Sequence, residues 1–302
     1  MKACATLFIG CAHIIKKLLS ERNVKMKLFK NVTAFLSLAL TFTMLIFLTS
    51  CSGSEENHKP KLKVGMECAY APFNWIQPSA KGGGVRISGG WYACGYDVYI
   101  ARKIANSLGR ELEIVKVDWD GLLPALTSGK IDAIIAGMSA TKNRREAIDF
   151  TDEYFSSNIV VVMKKGSKFE GAKSINDFGG ARITGQLGTI PYDFIDQMNG
   201  AKKETAMEDF ASIISSLGAG KIDCYVSEKS AALTAVHTNP SLTYIEFEEG
   251  KGFTYSEDEI EVRIGVKKGD SLLGEINNAL KEISPSERED LMNKAVENSC
   301  IK

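Results

Sequence analysis

Residues 118–137, DWDGLLPALTSGKIDAIIAG, decide the fold, because they predict a helix, a turn and a buried strand in immediate succession. The apolar residues between Gly121 and Ser128 recur at helical spacing, and Gly129 follows where a helix commonly ends in a left-handed residue. Residues 131–136 form a continuous apolar run of strand length, as expected for a strand buried on both faces of a parallel sheet. The stretch is therefore typical of an α/β unit.

A loop of small and polar residues follows this strand and leads to a second predicted helix, with Thr141 as its N-cap and Arg144 in its first turn. A cation is unfavourable at a helix N-terminus, where the macrodipole prefers anions. One interpretation is that Arg144 pairs with a local carboxylate, Glu146 or Asp149. The other is that free backbone N–H groups, the Ser139 hydroxyl and Arg144 together hold one anion, such as a carboxylate.

A repeat favours the second interpretation. Residues 122–137 read LLPALTSGKIDAIIAG and residues 213–228 read IISSLGAGKIDCYVSE, so each GKID has a helix before it and a strand after it. This pattern predicts a duplicated α/β lobe, and ligands of open α/β sheets lie beyond the carboxyl ends of the strands. Two facing sheets would offer Ser139 and Arg144 from one lobe and Glu228 from the other. A cation and an anion across a cleft suit a zwitterionic ligand.

Composition and charge agree with a two-lobed globular protein. The chain has 302 residues, of which 44% are apolar and 25% charged, which is enough for two lobes. Residues 1–50 hold seven of the 37 Lys and Arg residues and one of the 37 acids, so the rest of the chain carries a net charge of about −6. Such a surface gives no electrostatic reason to expect nucleic-acid binding.

The N-terminal residues 1–50 have the pattern of a secretory signal peptide. Three lysines precede residues 32–48, an apolar run, and Leu48-Thr49-Ser50-Cys51 then resembles the lipobox of bacterial lipoproteins. We therefore expect cleavage before Cys51, lipidation of its thiol and a lipid-anchored tether over residues 51–60. The alternative is an uncleaved membrane span, for which the run is short. Met26 is a second candidate start codon.

The remaining cysteines give little sign of a chemical centre. Outside the cytoplasm a disulfide is permitted, and Cys68 with Cys94 is the one candidate pair. The chain has no CxxC and only three histidines, which argues against a zinc or thiol-redox site.

The first lobe is predicted to open with a strand at residues 61–66. Residues 77–95 are rich in glycine but lack the strand and helix context of a dinucleotide site, so they predict a surface loop. Asp97 is predicted to be the N-cap of the next helix. The aromatic residues Tyr70 and Trp119 each follow a predicted strand, where they either belong to the core or form a wall of the cleft.

The second lobe is predicted to lie between two connecting strands. Residues 157–165 and 259–268 are rich in β-formers and bracket the second GKID, so they are candidates for paired strands at the hinge. The lobes would then comprise residues 61–157 plus 256–302, and residues 158–255. Pro191 marks the first turn of a further helix beside the cleft.

From about Lys61 to Asn298 the chain resembles the family 3 extracellular solute-binding proteins, which serve ABC importers of polar amino acids. The motifs that carry this resemblance are Tyr70-Ala71-Pro72-Phe73, Gly95-Tyr96-Asp97-Val98, Trp119-Asp120-Gly121-Leu122, Gly129-Lys130-Ile131-Asp132, the loop from Ser139 to Arg144, Asp149-Phe150-Thr151-Asp152 and Gln186-x-Gly188-Thr189. The resemblance implies a two-lobed type II periplasmic-binding-protein fold with two hinge-connecting strands. It also implies a monomer without catalytic chemistry or cofactor, which captures a free amino acid and delivers it to a membrane permease.

The resemblance further implies the ligand-binding residues. They are Glu67, Tyr70, Trp119, Gly137, Met138, Ser139, Arg144, Gln186, Thr189, Ile190 and Glu228. Arg144 and the backbone at Thr189 and Ile190 would hold the ligand carboxylate, and Glu228, with Ser139 and the Gly137 carbonyl, would hold its ammonium group. Tyr70 and Trp119 would pack on the ligand side chain.

Three positions bear on which ligand the site takes. Glu228 stands where many relatives carry Asp, and Ile190 where Thr is frequent, so the exact ligand stays open. Glu67 favours a polar or basic amino acid. A different class of function shares this fold, namely dehydratases that act on small carboxylic acids. Such an enzyme would need a poised acid or base near the ligand, for which Glu228 is the candidate.

Overall fold

The structure is a computed structural model, and it describes residues 59–299. The signal peptide over residues 1–50, the alternative start at Met26 and the lipidation at Cys51 lie outside the described residues. No helix within residues 59–299 is both long enough and apolar enough to cross a membrane.

The predicted alternation of strands and helices is present. Within residues 59–299, the strands are β1 (Lys61–Met66), β2 (Ala69–Tyr70), β3 (Asn74–Gln77), β4 (Val85–Arg86), β5 (Tyr92–Cys94), β6 (Glu111–Lys116), β7 (Ala133–Ile134), β8 (Ile148–Ser156), β9 (Ile159–Lys164), β10 (Arg182–Thr184), β11 (Lys202–Lys203), β12 (Cys224–Glu228), β13 (Leu242–Ile245) and β14 (Glu261–Lys267). The α-helices of the same range are α1 (Tyr96–Ser107), α2 (Leu122–Ser128), α3 (Lys142–Ala147), α4 (Ile190–Asp193), α5 (Phe210–Gly218), α6 (Lys229–Thr238), α7 (Glu257–Ile260), α8 (Leu272–Lys281) and α9 (Pro285–Ser299).

Two five-stranded sheets of the same design form the two lobes. The first has the order β6-β1-β7-β14-β8 and the second the order β11-β10-β12-β9-β13. In each sheet the first three strands are parallel, and the last two join in antiparallel pairs. A smaller sheet, β2-β3-β5-β4, belongs to the first lobe. The prediction of a two-lobed α/β fold is confirmed.

The connecting strands differ from those predicted. Residues 157–165 do not pair with residues 259–268. Instead β14 pairs with β8, with Glu261 opposite Ser156, whereas β9 pairs with β12 and β13 in the second sheet. The physical reason is burial on both faces: the residues of β9 alternate between two hydrophobic clusters on opposite sides of the second sheet. The chain therefore passes between the lobes directly after β8.

Each GKID turn fixes two neighbouring parallel strands by the same pair of hydrogen bonds. In the first copy the Lys63 N–H donates to the Asp132 carboxylate over 2.8 Å, and the Asp132 N–H donates to the Lys63 carbonyl over 2.8 Å. In the second copy the Arg182 N–H donates to the Asp223 carboxylate over 2.9 Å, and the Asp223 N–H donates to the Arg182 carbonyl over 2.8 Å. We call this pair of bonds the aspartate clasp.

Cys68 and Cys94, the candidate pair for a disulfide, do not form one, since both residues are buried free thiols. Cys68 directly precedes β2 and Cys94 ends β5, and β3 lies between these two strands. Two strand spacings amount to roughly 9–10 Å. A disulfide bridges Cα atoms no more than about 7 Å apart.

Residues 77–95, predicted to be a surface loop, lie largely at the surface, but the segment is not a loop throughout. The segment contains β4 and β5, which pair with each other and, through β5, with β3. Gly89 and Gly90, at φ values of +80° and +83°, form the turn between the two strands. These glycines therefore form the turn between two short strands, a role that composition alone does not reveal.

Asp97 is not the N-cap of α1, contrary to the prediction. The carbonyls of Pro72 and Phe73 accept hydrogen bonds from the first N–H groups of this helix, so no side-chain cap is needed. The Asp97 carboxylate instead accepts hydrogen bonds from Asn74 and Tyr154.

Candidate functional site

A cleft lies between the two lobes, at the carboxyl ends of the parallel strands. Its walls bring together nine of the eleven residues predicted for the site. The lining residues are Tyr70, Trp119, Gly137, Ser139 and Arg144 from the first lobe, and Gln186, Thr189, Ile190, Pro191, Phe210 and Glu228 from the second. Glu67 and Met138 are the two predicted residues that do not line it.

Arg144 reaches from the first lobe to the second. Its guanidinium donates to the Ser139 carbonyl over 2.8 Å and to the Gly188 carbonyl over 2.9 Å, and it lies 5.2 Å from the centre of the Trp119 ring. The Thr141 hydroxyl caps its helix by accepting from the Arg144 N–H, as predicted. Burial lowers the pKa of the guanidinium to about 10, a value at which it stays charged at neutral pH.

The alternative interpretation, in which Arg144 pairs with Glu146 or Asp149, does not hold. Asp149 forms an ion pair with Lys268 at 3.0 Å, and within residues 59–299 Arg144 forms no ion pair. Among the described residues, the hydrogen-bond acceptors of the guanidinium are two carbonyl oxygens, and it also contacts the Trp119 ring, so its charge is available to an anion.

Glu228 ends β12 and faces the cleft from the second lobe. The Tyr70 hydroxyl donates a hydrogen bond to the Glu228 carboxylate across the cleft. Burial raises the pKa of the Glu228 carboxyl, and its hydrogen bond from Tyr70 and the charge of Arg144 oppose that rise. The Tyr70 ring lies between Phe73 and Phe210, with centroid distances of 5.1 and 4.8 Å.

Gly137 allows the backbone to approach the Tyr70 ring. It has a φ of +62°, and a Cβ atom at this position would lie 3.1 Å from a ring carbon of Tyr70. Its N–H donates to the Tyr154 hydroxyl over 3.1 Å. Both the backbone conformation and the close contact therefore require glycine here.

The two residues after Gly137 have different surroundings. Met138 is predicted to be a ligand-binding residue, but its side chain is buried in the hydrophobic core of the first lobe and does not line the cleft. The Ser139 hydroxyl lines the cleft and donates to the Glu259 carbonyl over 3.2 Å.

Glu67 and Gln186 meet across the lobes beside the cleft. The Gln186 amide donates to the Glu67 carboxylate over 2.9 Å and to the Glu208 carbonyl over 3.0 Å. Burial raises the pKa of the Glu67 carboxyl to about 7. Glu67 lines an adjoining cavity that shares the Trp119 wall with the cleft and is mostly acidic. The charged residues around this cavity are Glu67, Asp118, Asp120, Glu208, Asp209 and Lys116.

The sequence interpretation missed Phe210 and Pro191 as walls of the cleft. Phe210 could have been found by extending the repeat upstream, because a shift of 91 residues that superimposes the two GKID turns also places Trp119 on Phe210. The two lobes thus contribute aromatic walls from equivalent positions. Within residues 59–299, no group of three His, Cys, Asp or Glu side chains could hold a metal ion.

Comparisons with known proteins agree with this geometry. Residues 62–297 match the family described as bacterial extracellular solute-binding proteins, family 3. A probable histidine-binding protein of Campylobacter jejuni is 33% identical over 240 residues, which cover 76% of this chain and 86% of the relative.

Two solved structures extend the comparison. An ancestral arginine-binding protein bound to arginine superimposes with a TM-score of 0.64 and 31% identity, over 79% of this chain and 99% of the other. An ancestral amino acid-binding protein, a precursor of cyclohexadienyl dehydratase, superimposes with a TM-score of 0.63 and 26% identity, over 78% and 94%. The matched proteins therefore have this two-lobed fold and, by their names, bind amino acids.

Proposed function

Since the chain belongs to family 3 of the bacterial extracellular solute-binding proteins, we propose that it captures a basic amino acid outside the cytoplasm for an ABC importer. The observation that carries this proposal is the placement of Arg144 and Glu228 on opposite lobes, where both line one cleft. An amino acid carries an ammonium group and a carboxylate on the same carbon atom, so it can engage both lobes at once.

The ligand carboxylate takes the place of the Gly188 carbonyl on the Arg144 guanidinium. Charge-assisted bonds to a carboxylate are stronger than bonds to a neutral carbonyl, which favours the exchange. Thr189 and Ile190 line the same end of the cleft and offer backbone groups to this carboxylate. Glu228, with the Ser139 hydroxyl and the Gly137 carbonyl, receives the ammonium group.

An acidic cavity beside the cleft supports a basic side chain on the ligand. It carries five carboxylates and one lysine, and it adjoins the cleft at Trp119. A ligand whose side chain passes Trp119 would bring its cationic end close to Glu67. The Tyr70 and Trp119 rings would pack along the apolar part of that side chain.

Capture proceeds by a population shift, in which a ligand that contacts both lobes stabilises the arrangement with the lobes together. A dissociation constant near 1 μM would correspond to roughly −8 kcal/mol. Charge-assisted bonds in a partly dehydrated cleft supply most of this free energy.

The proposed protein is a monomer held at the cell membrane. Residues 1–50 are its signal peptide, with Met26 as an alternative start, and a lipidated Cys51 begins a tether that ends near residue 60. The lobes comprise residues 61–157 plus 256–302, and residues 158–255. The two sheets support this division, since the strands of each sheet fall within one lobe.

A second candidate function is a dehydratase of small carboxylic acids. It is favoured by the likeness to the ancestral precursor of such an enzyme and by Glu228, a carboxyl whose pKa is raised by burial at the cleft. Turnover of a prephenate-like acid by the purified protein, measured as release of the aromatic product, would identify an enzyme.

A thermal-shift screen of the twenty amino acids, followed by calorimetry, tests the proposed function. A ligand at about 100 times its dissociation constant adds roughly 2.7 kcal/mol to the free energy of unfolding. We expect a basic amino acid to give the largest shift. A screen in which no amino acid raises the melting temperature would overturn the proposal.

A further inference from the structure

Asp97 is a fully buried carboxylate for which the proposed binding mechanism has no direct use. None of its surface is exposed, and it accepts 2.7 Å hydrogen bonds from the Asn74 amide and the Tyr154 hydroxyl. Within residues 59–299 it forms no ion pair. Burying a carboxylate without a cation is unfavourable, and burial raises the pKa of this carboxyl to about 6.

Capping of α1 does not account for Asp97. The first N–H groups of the helix donate to the carbonyls of Pro72 and Phe73, and no side chain caps it. The location in the first helical turn lowers the cost of the negative charge, because the macrodipole favours an anion there. It does not explain why the carboxylate is directed at two other side chains.

Both partners of Asp97 lead to the backbone of the cleft. The Asn74 side-chain carbonyl accepts from the Cys68 N–H over 2.6 Å, in the segment between Glu67 and Tyr70. The Tyr154 hydroxyl accepts from the Gly137 N–H over 3.1 Å, at the start of the loop toward Ser139. Two of the first-lobe loops that carry the proposed ligand contacts are therefore held by one buried carboxylate.

We propose that Asp97 is a positioning residue for ligand binding, which sets the backbone of Cys68 through Asn74 and that of Gly137 through Tyr154. This inference rests on the proposed function and concerns how the first-lobe half of that site is held in place. Only an acceptor with two free oxygens suits the arrangement, because both of its partners are donors.

The amide variant breaks this match. In Asp97→Asn an NH₂ group replaces one oxygen, and the loss of the charge weakens the bond to the oxygen that remains. An NH₂ group that faced the Asn74 amide would oppose donor to donor, so Asn74 would have to turn away from the Cys68 N–H. An NH₂ group that faced the Tyr154 hydroxyl would reverse that bond, so the hydroxyl oxygen would accept from residue 97 as well as from the Gly137 N–H. The substitution keeps the size of the side chain, so the packing of α1 is preserved.

The test compares three variants with the wild-type full chain at pH 8, above the pKa of Asp97. Asp97→Asn disturbs both branches and Tyr154→Phe disturbs the Gly137 branch alone. Tyr99→Phe is the matched control, because this buried tyrosine on the same helix as Asp97 loses a hydroxyl bonded to the Gly82 carbonyl, outside both branches. Calorimetry with arginine as the probe and amide NMR spectra without it are recorded for each.

We expect Asp97→Asn to weaken arginine binding by at least about tenfold and Tyr154→Phe by roughly three- to tenfold, as the loss of buried hydrogen bonds predicts. Tyr99→Phe should change the affinity for arginine by less than about twofold, although its melting temperature falls too. Asp97→Asn should shift the amide signals of both Cys68 and Gly137, which it does not touch.

Opposite results overturn the inference. If Asp97→Asn folds, binds arginine like the wild type and leaves both amide signals in place, Asp97 has no positioning role. If Asp97→Asn does not fold, unchanged affinity in Tyr154→Phe overturns the Gly137 branch. If the wild type itself does not bind arginine, the proposed function is in doubt, and the two amide signals still decide the role of Asp97.

Discussion

The two GKID copies have the same internal bonds but opposite chemistry at their ends. Each turn holds its neighbouring strand by an aspartate clasp, Asp132 on Lys63 and Asp223 on Arg182. A shift of 91 residues then places Glu228 on Gly137. In the first copy Gly137, three residues beyond β7, admits the Tyr70 ring, and in the second copy β12 ends at Glu228, the carboxylate that Tyr70 contacts.

The difference shows that the fold and the site are separable within each lobe. The clasp is built from backbone groups and one carboxylate, so it tolerates different neighbours, whereas the residue five positions after the clasp aspartate decides the charge at the cleft. The equivalence extends further: Glu67 and Gln186 each follow a clasped residue by four positions, and these two side chains bond to each other across the lobes.

Removal of the Arg144 guanidinium, which follows the first copy, should have the largest effect on ligand binding. We expect Arg144→Ala to weaken binding of the preferred amino acid by at least about 2–3 kcal/mol, because a partly buried carboxylate loses its counter-ion. Calorimetry measures this change. Arg145→Ala is the control, since Arg145 lies next to Arg144 on the same helix but pairs with Asp258 at the surface. Equal affinities of the two variants would contradict the assignment of the site.

Removal of either aspartate clasp should lower the stability of the fold, which would show that both copies depend on it. We expect Asp132→Ala and Asp223→Ala each to lower the free energy of unfolding by about 1.5–2 kcal/mol, because a backbone N–H loses its acceptor. Asp223→Ala should cost slightly more, since Asp223 also pairs with the Arg182 guanidinium. Urea unfolding measures both, with Asp132→Asn and Asp223→Asn as controls that keep an acceptor oxygen. A clasp that can be removed without loss would show that the repeat is not structural.

A methyl group at the end of the first copy tests the difference between Gly137 and Glu228. Gly137→Ala should lower the free energy of unfolding by about 1–2 kcal/mol through its positive φ, and it should also weaken ligand binding by displacing Tyr70. Gly109→Ala is the control, because Gly109 has a similar φ of +64° but open space around it. This variant therefore measures the cost of the positive φ alone. Chemical unfolding and calorimetry separate the two effects. Identical affinities in both variants would mean that the Tyr70 contact is unimportant.

The smallest effect concerns the contact between the equivalent positions Glu67 and Gln186. Burial raises the pKa of the Glu67 carboxyl to about 7, so a basic ligand should bind more weakly as the pH falls from 8 to 6, by at most about tenfold per pH unit. The stability supplied by this group has the opposite sign. It is fully present below about pH 4.5 and is lost as the pH rises through about 7.

The control for this prediction is Glu67→Gln. The difference in calorimetric affinity between this variant and the wild type, measured at each pH, cancels the titration of Asp97 and Glu228. A wild-type pH profile that Glu67→Gln leaves unchanged would exclude a role for Glu67 in the pH dependence.

The sequence predicts most of the fold because the repeat fixes its architecture. The GKID turns, the two sheets and the capping of the Arg144 helix follow from local patterns, and all are present. The placement of β9 does not follow, because a short apolar run has no local signal that distinguishes a hinge strand from a core strand. The true partners of Asp97 lie 23 and 57 residues away, so only the tertiary structure reveals them.

The hydrogen bonds of the Gly188 carbonyl affect how a ligand binds. It accepts from both the Arg144 guanidinium and the Trp119 indole, so the two halves of the protein are already joined at the place where a ligand carboxylate would bind. Binding of the carboxylate then exchanges one acceptor of Arg144 for another, so this bond contributes the difference between a charge-assisted bond and a bond to a neutral carbonyl. A molecule with only one of the two charges could engage only one lobe in this way, so the protein would release it quickly.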